Sequence, residues 1–239
     1  MYEAIKVVAM DLDGTLTQHK TPLSKEHRDV LTKLSKRYQL LMVGAGQVNR
    51  IFNQLEKFPV DIIGNYGMQY GVFNEKTNSI TVLRDVVMQY DQQKITDRVT
   101  YLREKYGFTD FVGESVEFHT SGCVTFPILG TKAALQDKLA FDPDRTKRRQ
   151  IYDDVAQTFL DYCVFIGGSS SFDMAPKPYD KYYALDLYCQ QHGYQHDEVV
   201  YIGDDYGTGG NDESVYRSDF PYITIDSYLD FPKVVDKLL

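Results

Sequence analysis

Two carboxylates stand one residue apart near the start of the chain, at Asp11 and Asp13, within the segment DLDGT. The mainly apolar residues 5–10 precede them and predict a short buried strand. In an open α/β sheet, ligands bind beyond the carboxyl ends of such strands. Asp11 could therefore attack phosphorus and become an aspartyl-phosphate, while Asp13 protonates the leaving oxygen and then activates water. The alternative is an acidic turn that uses Asp and Gly only for its backbone shape.

A second acidic segment follows another apolar run, residues 199–202, and ends in GGND at residues 209–212. Mg²⁺ prefers an octahedral shell of oxygen ligands and usually keeps waters and phosphate oxygens among them. A solvated acidic loop is the alternative, and the role of Asp205 stays open between an exposed neighbour and a ligand. We predict a Mg²⁺ site whose ligands, and the residues that orient them, come from both segments: Asp11, Asp13 through its backbone carbonyl, Asp204, Asn211 and Asp212.

Positive charge for such a site would come from Lys181, which begins a predicted helix. It would keep the nucleophile ionised and offset charge in the transition state, although a lone lysine is more often a surface residue. The loop Gly44, Ala45 and Gly46 follows another apolar run and could present backbone N–H groups to a phosphate. Glycine is also the common means of turning from a strand into a helix, so this loop alone decides nothing.

The composition of the chain excludes several classes of function. It has 239 residues, of which 43% are hydrophobic, and a formal net charge of −8. Nucleic acids and anionic membranes bind basic surfaces, so we expect neither as a partner. The 3 cysteines form no CxxC pair, and no apolar run is long enough to span a bilayer. Because no signal peptide is evident either, we expect a soluble cytoplasmic protein that acts on a small molecule.

Short apolar runs alternate with helical patterns over the first third of the chain and again near its end. This alternation predicts a parallel sheet with helices on both faces. Ser24 is the expected N-cap of the first helix, and residues 74–79 are typical of a hairpin turn. The chain's middle has antiparallel strand patterns, together with helices expected over residues 88–105, 131–140 and 145–160.

These patterns predict an α/β fold in which one unit interrupts another. The parallel-sheet domain would comprise residues 1–82 and 180–239. The inserted α+β unit would comprise residues 83–179, with the two crossings as hinges.

The order of these features resembles the haloacid dehalogenase superfamily of phosphotransferases. Its DxDGT motif is similar to residues 11–15, its lysine motif matches Lys181, and its terminal acidic motif matches Asp204 with Asn211 and Asp212. The resemblance covers essentially the whole chain. It implies a Rossmann-like core, an inserted cap domain over the site, Mg²⁺ and an aspartyl-phosphate intermediate.

Within that superfamily, the chain most resembles the eukaryotic-type phosphomannomutase branch. Residues 167–181 are similar to the segment that leads from the cap into the lysine motif, and residues 203–212 are similar to its GD…GGND motif. The resemblance implies that the cap selects the substrate, and we expect Ser171 and Asp173 to contact it. The alternative for these residues is a β-hairpin with no further role. A homodimer formed through the cap is compatible with the same resemblance.

The chain departs from that branch where a mutase grips a second phosphate. The mutase has an arginine after a Glu-Phe pair, where this chain has His119, and another in a Pro-Ile-Gly-Arg segment, where this chain has Thr131. The opening loop has no arginine at residues 18–20, and Gly46 with Gln47 replaces a Ser-Asp pair. The half of the pattern that serves phosphoryl transfer is present, and the half specific to a mutase is not.

A mutase must hold the second phosphate while the sugar turns round. The basic side chains near these positions do not reproduce a bidentate arginine clamp; they are Lys20, His119, Lys132 and Lys177. We therefore predict a Mg²⁺-dependent phosphatase that hydrolyses a small phosphorylated metabolite, with a sugar phosphate as the first candidate. A phosphomannomutase is the alternative, and a catalytically idle binding protein on the same fold is a third.

Overall fold

The computed structural model describes residues 2–239, which divide into two compact units. The core unit comprises residues 2–86, Asp180–Gly207 and Asp212–Leu239, and the insert unit comprises Val87–Tyr179 and Thr208–Asn211. Each unit has a sheet and a hydrophobic core of its own. Among residues 2–239, every helix is too short or too polar to traverse a lipid bilayer.

The strands are, in chain order, β1 (Val7–Met10), β2 (Gln39–Val43), β3 (Asp61–Gly64), β4 (Gln69–Asn74), β5 (Ser79–Asp85), β6 (Glu117–Phe118), β7 (Val124–Pro127), β8 (Tyr162–Phe165), β9 (Ser171–Pro176), β10 (Val199–Gly203) and β11 (Tyr222–Thr224). The α-helices are α1 (Lys25–Leu34), α2 (Val48–Gln54), α3 (Gln92–Tyr106), α4 (Leu135–Phe141), α5 (Thr146–Thr158), α6 (Lys181–His192), α7 (Glu213–Tyr216) and α8 (Phe231–Val234).

The sheet of the core unit has seven strands in the order β11-β10-β1-β2-β3-β4-β5. β1 lies between β10 and β2 and is parallel to both, with Met10 in register with Ile202 and Met42. Every residue of β1 and β10 is buried, as the apolar runs predicted. Because parallel strands end at one edge of the sheet, the loops after β1, β2 and β10 begin side by side. The predicted α/β fold is confirmed.

Local signals in the core unit place its first helix and its edge hairpin. Oγ of Ser24 accepts a hydrogen bond from the backbone N–H of His27 at 3.2 Å, which caps α1 as predicted. β4 and β5 pair in antiparallel fashion on either side of the predicted turn. This hairpin extends the parallel part of the sheet at one edge.

The sheet of the insert unit is antiparallel, in the order β6-β7-β9-β8. Its core contains apolar residues of α3 and α5 together with Phe126 and Phe172, whose rings stack with centroids 6.1 Å apart. Two predicted helix starts in this unit were wrong. The helix expected from residue 88 begins at Gln92, because the carboxylate of Asp91 accepts a hydrogen bond from the N–H of Lys94 at 3.0 Å and caps it there.

The helix expected over residues 131–140 begins four residues late, at Leu135. The backbone N–H of Thr131 donates to the carbonyl of Glu114 at 3.2 Å, and that of Lys132 donates to the carbonyl of Val112 at 2.9 Å. Those tertiary hydrogen bonds hold residues 131–132 outside the helix. Helix propensity alone could not reveal partners so distant along the chain.

His196 of the core unit lies between two carboxylates, and this arrangement predicts pH-dependent stability. Its Nδ1 is 2.8 Å from Oδ1 of Asp219, and its Nε2 is 3.1 Å from Oδ1 of Asp186. Burial lowers the pKa of His196, but the two carboxylates raise it by more, so its pKa lies above the ordinary value. A pKa raised by folding contributes stability below the unfolded pKa of about 6.5, and that contribution disappears as the pH rises through the folded value.

We expect His196→Asn to lower the free energy of unfolding more at about pH 6 than at about pH 8. The pH-dependent difference should stay under about 1 kcal/mol, because these side chains are partly exposed to solvent. Urea unfolding at both pH values measures it. Asp219→Asn should reduce the pH dependence while keeping the imidazole in place. A His196→Asn penalty that is equal at both pH values would contradict the assignment.

Candidate active site

Asp11 is the first residue after β1, at the edge where the parallel strands end. It is 5% exposed, and its Oδ1 is 2.8 Å from Nζ of Lys181. Lys181 is the first residue of α6 and is fully buried. The carboxylate of Asp180 accepts a hydrogen bond from the N–H of Tyr183 at 2.7 Å and caps α6, which fixes the position of the lysine.

Lys181 also contacts a second carboxylate, because its Nζ is 2.7 Å from Oδ1 of Asp212. Burial lowers the pKa of Lys181, but the carboxylates of Asp11 and Asp212 raise it by more, so the lysine stays protonated. Burial raises the pKa of Asp11 well above its ordinary value, and the ammonium of Lys181 opposes that rise. Lys181 therefore favours the ionised form of Asp11, which is the nucleophilic form.

Asp204 stands in the loop after β10, close to the turn that follows Asp11. Its Oδ1 accepts a hydrogen bond from Oγ1 of Thr15 at 2.7 Å. Burial raises the pKa of Asp204 to about 6, and the hydrogen bond from Thr15 opposes this rise. Gly14 has a φ of +96°, and a Cβ at this residue would overlap the carboxylate of Asp204. Glycine is therefore needed there both for the backbone conformation and for the close approach.

Three carboxylates from these loops form one acidic cluster. Asp11, Asp204 and Asp212 each offer an oxygen, and these oxygens all lie within 4.8 Å of one another. Asp212 is held in place by the hydroxyl of Tyr201, which donates to its Oδ1 at 2.7 Å, and by the N–H of Asp205, which donates to its Oδ2 at 3.1 Å. The cluster thus combines carboxylates with fixed orientation and a single buried ammonium.

The hydroxyl of Tyr222 indicates that a further polar group belongs beside this cluster. It is buried and has no hydrogen-bond partner within residues 2–239. A Cβ on Gly203 would lie 2.5 Å from both this hydroxyl and Oδ2 of Asp212, so the two groups face the same space. Buried hydroxyls are rarely left unpaired. A water of a hydrated divalent cation would satisfy it, and the all-oxygen donor set is the one that Mg²⁺ prefers, so the residues fit that ion.

Asp13 is held by hydrogen bonds that the sequence did not predict. Its Oδ1 accepts hydrogen bonds from the N–H of Lys20 at 2.8 Å and from Nε2 of Gln54 at 2.6 Å. Nε2 of Gln54 also lies 3.1 Å from Oγ1 of Thr17. Nη2 of Arg50 is 3.5 Å from Oδ2 of Asp13. The carboxylate is therefore fixed through one oxygen, while the other faces a guanidinium.

Arg50 and Gln54 could have been found from one signal in the sequence. They are four residues apart on α2, which begins directly after the predicted phosphate loop, so their side chains share a face. No comparable signal pointed to the contact of Thr15 with Asp204 or to the position of Tyr222 beside Gly203, because these pairs are distant in the chain.

The loop after β2 offers fewer phosphate donors than predicted. The N–H of Gly44 donates to the carbonyl of Ile63 at 2.9 Å, so it is not available to a phosphate and that part of the prediction is corrected. The N–H groups of Ala45 and Gly46 have no partner within the described chain. These two remain the candidate donors of the loop.

The predicted substrate residues Ser171 and Asp173 lie on β9 of the insert unit. Oδ1 of Asp173 accepts a hydrogen bond from Oγ1 of Thr125 at 2.9 Å, and the same oxygen of Thr125 is 3.1 Å from Nε2 of His119. Because the single hydroxyl proton goes to Asp173, His119 must donate in the second contact. Burial raises the pKa of Asp173. Oγ of Ser171 donates to the carbonyl of Gly167 at 3.1 Å.

The buried arginines of the insert unit are committed to its internal structure. Nη1 of Arg103 donates to the carbonyl of Ile128 at 2.8 Å. Nε of Arg148 donates to Oδ2 of Asp142 at 2.8 Å, and its Nη1 donates to the carbonyl of Gly167 at 2.6 Å. Neither guanidinium is therefore offered to a ligand as a bidentate fork.

The structure thus brings together part of the predicted site. Lys181 contacts Asp11 and Asp212 in the core unit, and Asp204 lies close to both carboxylates, with Asp13 in the adjoining turn. Asn211 groups with the insert unit, as do Ser171 and Asp173. The roles of these residues stay predictions.

The sequence matches a known protein family over most of its length. A family model described as eukaryotic phosphomannomutase matches residues 27–234. A phosphomannomutase of Arabidopsis thaliana is 24% identical over 220 residues, covering 89% of this chain and 87% of that protein. A phosphomannomutase of Saccharomyces cerevisiae is 24% identical over 218 residues, covering 88% and 84%.

Solved structures share the fold at lower identity. The IMP-bound IMP-nucleotidase of Plasmodium falciparum has a TM-score of 0.68 at 13% identity, covering 98% of this chain and 68% of that one. A phosphatase of the haloalkanoate (HAD) enzyme superfamily from Bacteroides thetaiotaomicron has a TM-score of 0.61 at 15% identity, covering 98% of this chain and 94% of that one. At these identities the structural likeness establishes the fold alone.

Proposed function

The chain belongs to the eukaryotic phosphomannomutase family, and from that premise we propose that it is a phosphatase that hydrolyses a small phosphorylated metabolite. A sugar phosphate is the first candidate, because the named relatives are phosphomannomutases. The observation that carries the choice of hydrolysis lies in the insert unit. His119 stands where the mutase has an arginine, and it donates to Thr125 within a chain of hydrogen bonds that ends at Asp173.

The first half of the proposed reaction uses both carboxylates of the DxD turn. A carboxylate oxygen of Asp11 attacks phosphorus, the bond between phosphorus and the ester oxygen breaks, and Asp13 gives its proton to that oxygen. The ammonium of Lys181 favours the ionised form of Asp11 before the attack. Gln54 and the N–H of Lys20 orient Asp13 through its Oδ1, which leaves Oδ2 to carry the transferred proton.

In the second half, a water gives a proton to Asp13 and attacks the phosphorus of the aspartyl-phosphate. The bond to Asp11 breaks, inorganic phosphate leaves, and both carboxylates return to their starting states. Asp11, Asp204 and the backbone carbonyl of Asp13 would hold Mg²⁺, with Asp212 orienting the shell. When bound, Mg²⁺ supplies positive charge to the phosphoryl oxygens.

A mutase needs further cationic side chains to bind the second phosphate, and this chain does not reproduce them. Each charge-assisted hydrogen bond to a phosphate contributes about 1.5–3 kcal/mol, so losing two would favour escape of a bisphosphate intermediate by about a hundredfold or more. Oγ1 of Thr131, at the second arginine position, accepts a hydrogen bond from the N–H of Glu114 at 2.9 Å. The buried Arg103 and Arg148 are held by internal acceptors.

We infer that the insert unit selects the substrate through the face of β9 that carries Ser171 and Asp173. A catalytically idle protein is a weaker candidate, because Lys181 contacts Asp11 and the carboxylate of Asp204 lies close to that of Asp11.

The test is to incubate the protein with mannose 1-phosphate or glucose 1-phosphate, with and without a hexose 1,6-bisphosphate, and to measure both free phosphate and the 6-phosphate isomer. We expect phosphate release to exceed isomer formation under both conditions and to stop when EDTA removes Mg²⁺. Asp11→Asn, purified identically, controls for contaminating phosphatases. Efficient isomer formation with little free phosphate would establish the mutase instead.

A further inference from the structure

Arg50 is a charged side chain of the core unit that the mechanism above does not use. It is the third residue of α2, and its side chain is 41% exposed. Nη1 donates to Oε1 of Gln54 at 2.8 Å, and Nη2 lies 3.5 Å from Oδ2 of Asp13. Its guanidinium therefore borders the carboxylate that is expected to carry the transferred proton.

The position of the guanidinium depends on Gly46. A Cβ on Gly46 would overlap Nη2, Nε and Cζ of Arg50, so the guanidinium lies directly against this glycine. Any side chain at residue 46 would force the arginine to move. The position of the Arg50 guanidinium therefore requires a glycine at residue 46. The same loop carries the N–H groups of Ala45 and Gly46, which are unpaired in the described chain.

Holding Asp13 does not require Arg50. Asp13 already accepts two shorter hydrogen bonds, at 2.6 and 2.8 Å, from Gln54 and from the N–H of Lys20. A half-exposed ion pair at 3.5 Å contributes little to stability. The guanidinium has five N–H donors, and the contacts described within residues 2–239 use only Nη1 and Nη2. The guanidinium of Arg50 therefore retains N–H donors that can bind a ligand.

The charge of the site also indicates that a bound phosphate needs a further cation. Asp11, Asp204 and Asp212 cluster around one ammonium, and Lys181 divides it between Asp11 and Asp212. A phosphate monoester would add further negative charge beside Asp13. A planar guanidinium matches two phosphate oxygens at once, which an ammonium cannot do.

We propose that Arg50 is a phosphate-binding residue: its guanidinium, seated on Gly46, binds the phosphoryl oxygens together with the N–H groups of Ala45 and Gly46. The proposal rests on the proposed function in placing a phosphoryl group beside Asp11. It holds equally for hydrolysis and for transfer to a sugar, because it concerns only the phosphoryl group.

The experiment measures binding of inorganic phosphate by calorimetry in the presence of Mg²⁺, so that its result does not depend on turnover. We expect Arg50→Gln to weaken phosphate binding by about tenfold to a hundredfold, and Arg50→Lys to recover part of the loss. Arg28→Gln, which removes an equal charge from α1 of the same unit, is the matched control and should leave the dissociation constant unchanged.

Gly46→Ala tests the coupling between the two residues. It should weaken phosphate binding when Arg50 is present and have little further effect when combined with Arg50→Gln. Circular dichroism and urea unfolding confirm that each variant is folded. A folded Arg50→Gln protein with unchanged phosphate affinity would overturn the proposal. An altered pH profile of turnover with unchanged phosphate affinity would overturn it too, since Arg50 would then only position Asp13.

Discussion

Asp11→Asn should abolish turnover, with a loss on the order of 10⁴-fold or more, as is usual when a covalent nucleophile is removed. The amide is a far weaker nucleophile than the carboxylate, and the other groups of the site cannot replace it from their positions. The fold should persist, because asparagine has nearly the same shape and Lys181 keeps its contact of 2.7 Å with Asp212. Steady-state turnover and urea unfolding measure the two expectations separately.

The covalent step has a direct readout. Acid quenching of the wild-type protein during turnover, followed by mass spectrometry, should find a phosphate on the peptide that contains Asp11. Asp13→Asn is the matched control, because it should still form the aspartyl-phosphate from an aryl phosphate, whose leaving group needs no proton, and then hydrolyse it slowly. Full activity in Asp11→Asn, or phosphate found only on another peptide, would contradict the mechanism.

Lys181→Met should cause the largest loss of stability among single substitutions in the site. The lysine is fully buried and contacts Asp11 and Asp212 at 2.8 and 2.7 Å, so removing its charge leaves two buried carboxylates without a counter-ion. Breaking a buried ion pair from one side costs about 3–5 kcal/mol. Urea unfolding at neutral pH without added metal measures this loss, and turnover should fall as well.

Two further variants separate charge from packing. Adding Asp212→Asn to Lys181→Met should restore part of the lost stability, because it removes one of the stranded carboxylates. Lys33→Met, on α1, is the matched control and should change the free energy of unfolding little. A Lys181→Met protein as stable as the wild type would show that the lysine is not the counter-ion of these carboxylates.

The sequence predicted the parallel sheet well, because its signals are local. Apolar runs fully buried on both faces, such as β1 and β10, cannot be exposed edge strands, and Ser24 caps the helix that it was expected to cap. The predicted start of the helix over residues 131–140 was wrong because the deciding contacts are not local. Its first residues hydrogen-bond to residues 112–114, and no local pattern encodes that contact.

The residues of the site were likewise predictable where their signals are local and not where they depend on tertiary contacts. Asp11 and Asp204 were identifiable because each follows an apolar strand directly, and the topology then brings the strand ends together. Tyr222, by contrast, has the sequence context of an ordinary strand residue. Only the structure shows that its buried, unpaired hydroxyl lies beside Gly203 and Asp212. Arg50 was missed because a half-exposed helical arginine is common, and only the overlap with Gly46 distinguishes it.

The position of β1 between β2 and β10 has a consequence for how this protein comes to be made. The hydrogen bond from Thr15 to Asp204 joins residues 189 positions apart, so the turn that carries Asp11 is completed by the loop after β10, which is synthesised much later than β1. Until β10 leaves the ribosome, one side of β1 has no strand to pair with, and its unpaired backbone groups could associate with other chains. Non-local pairings of this kind also form slowly. A nascent chain can therefore contain every residue of the DxD turn and still lack Asp204 and Asp212, so the acidic cluster forms only after β10 has joined the sheet.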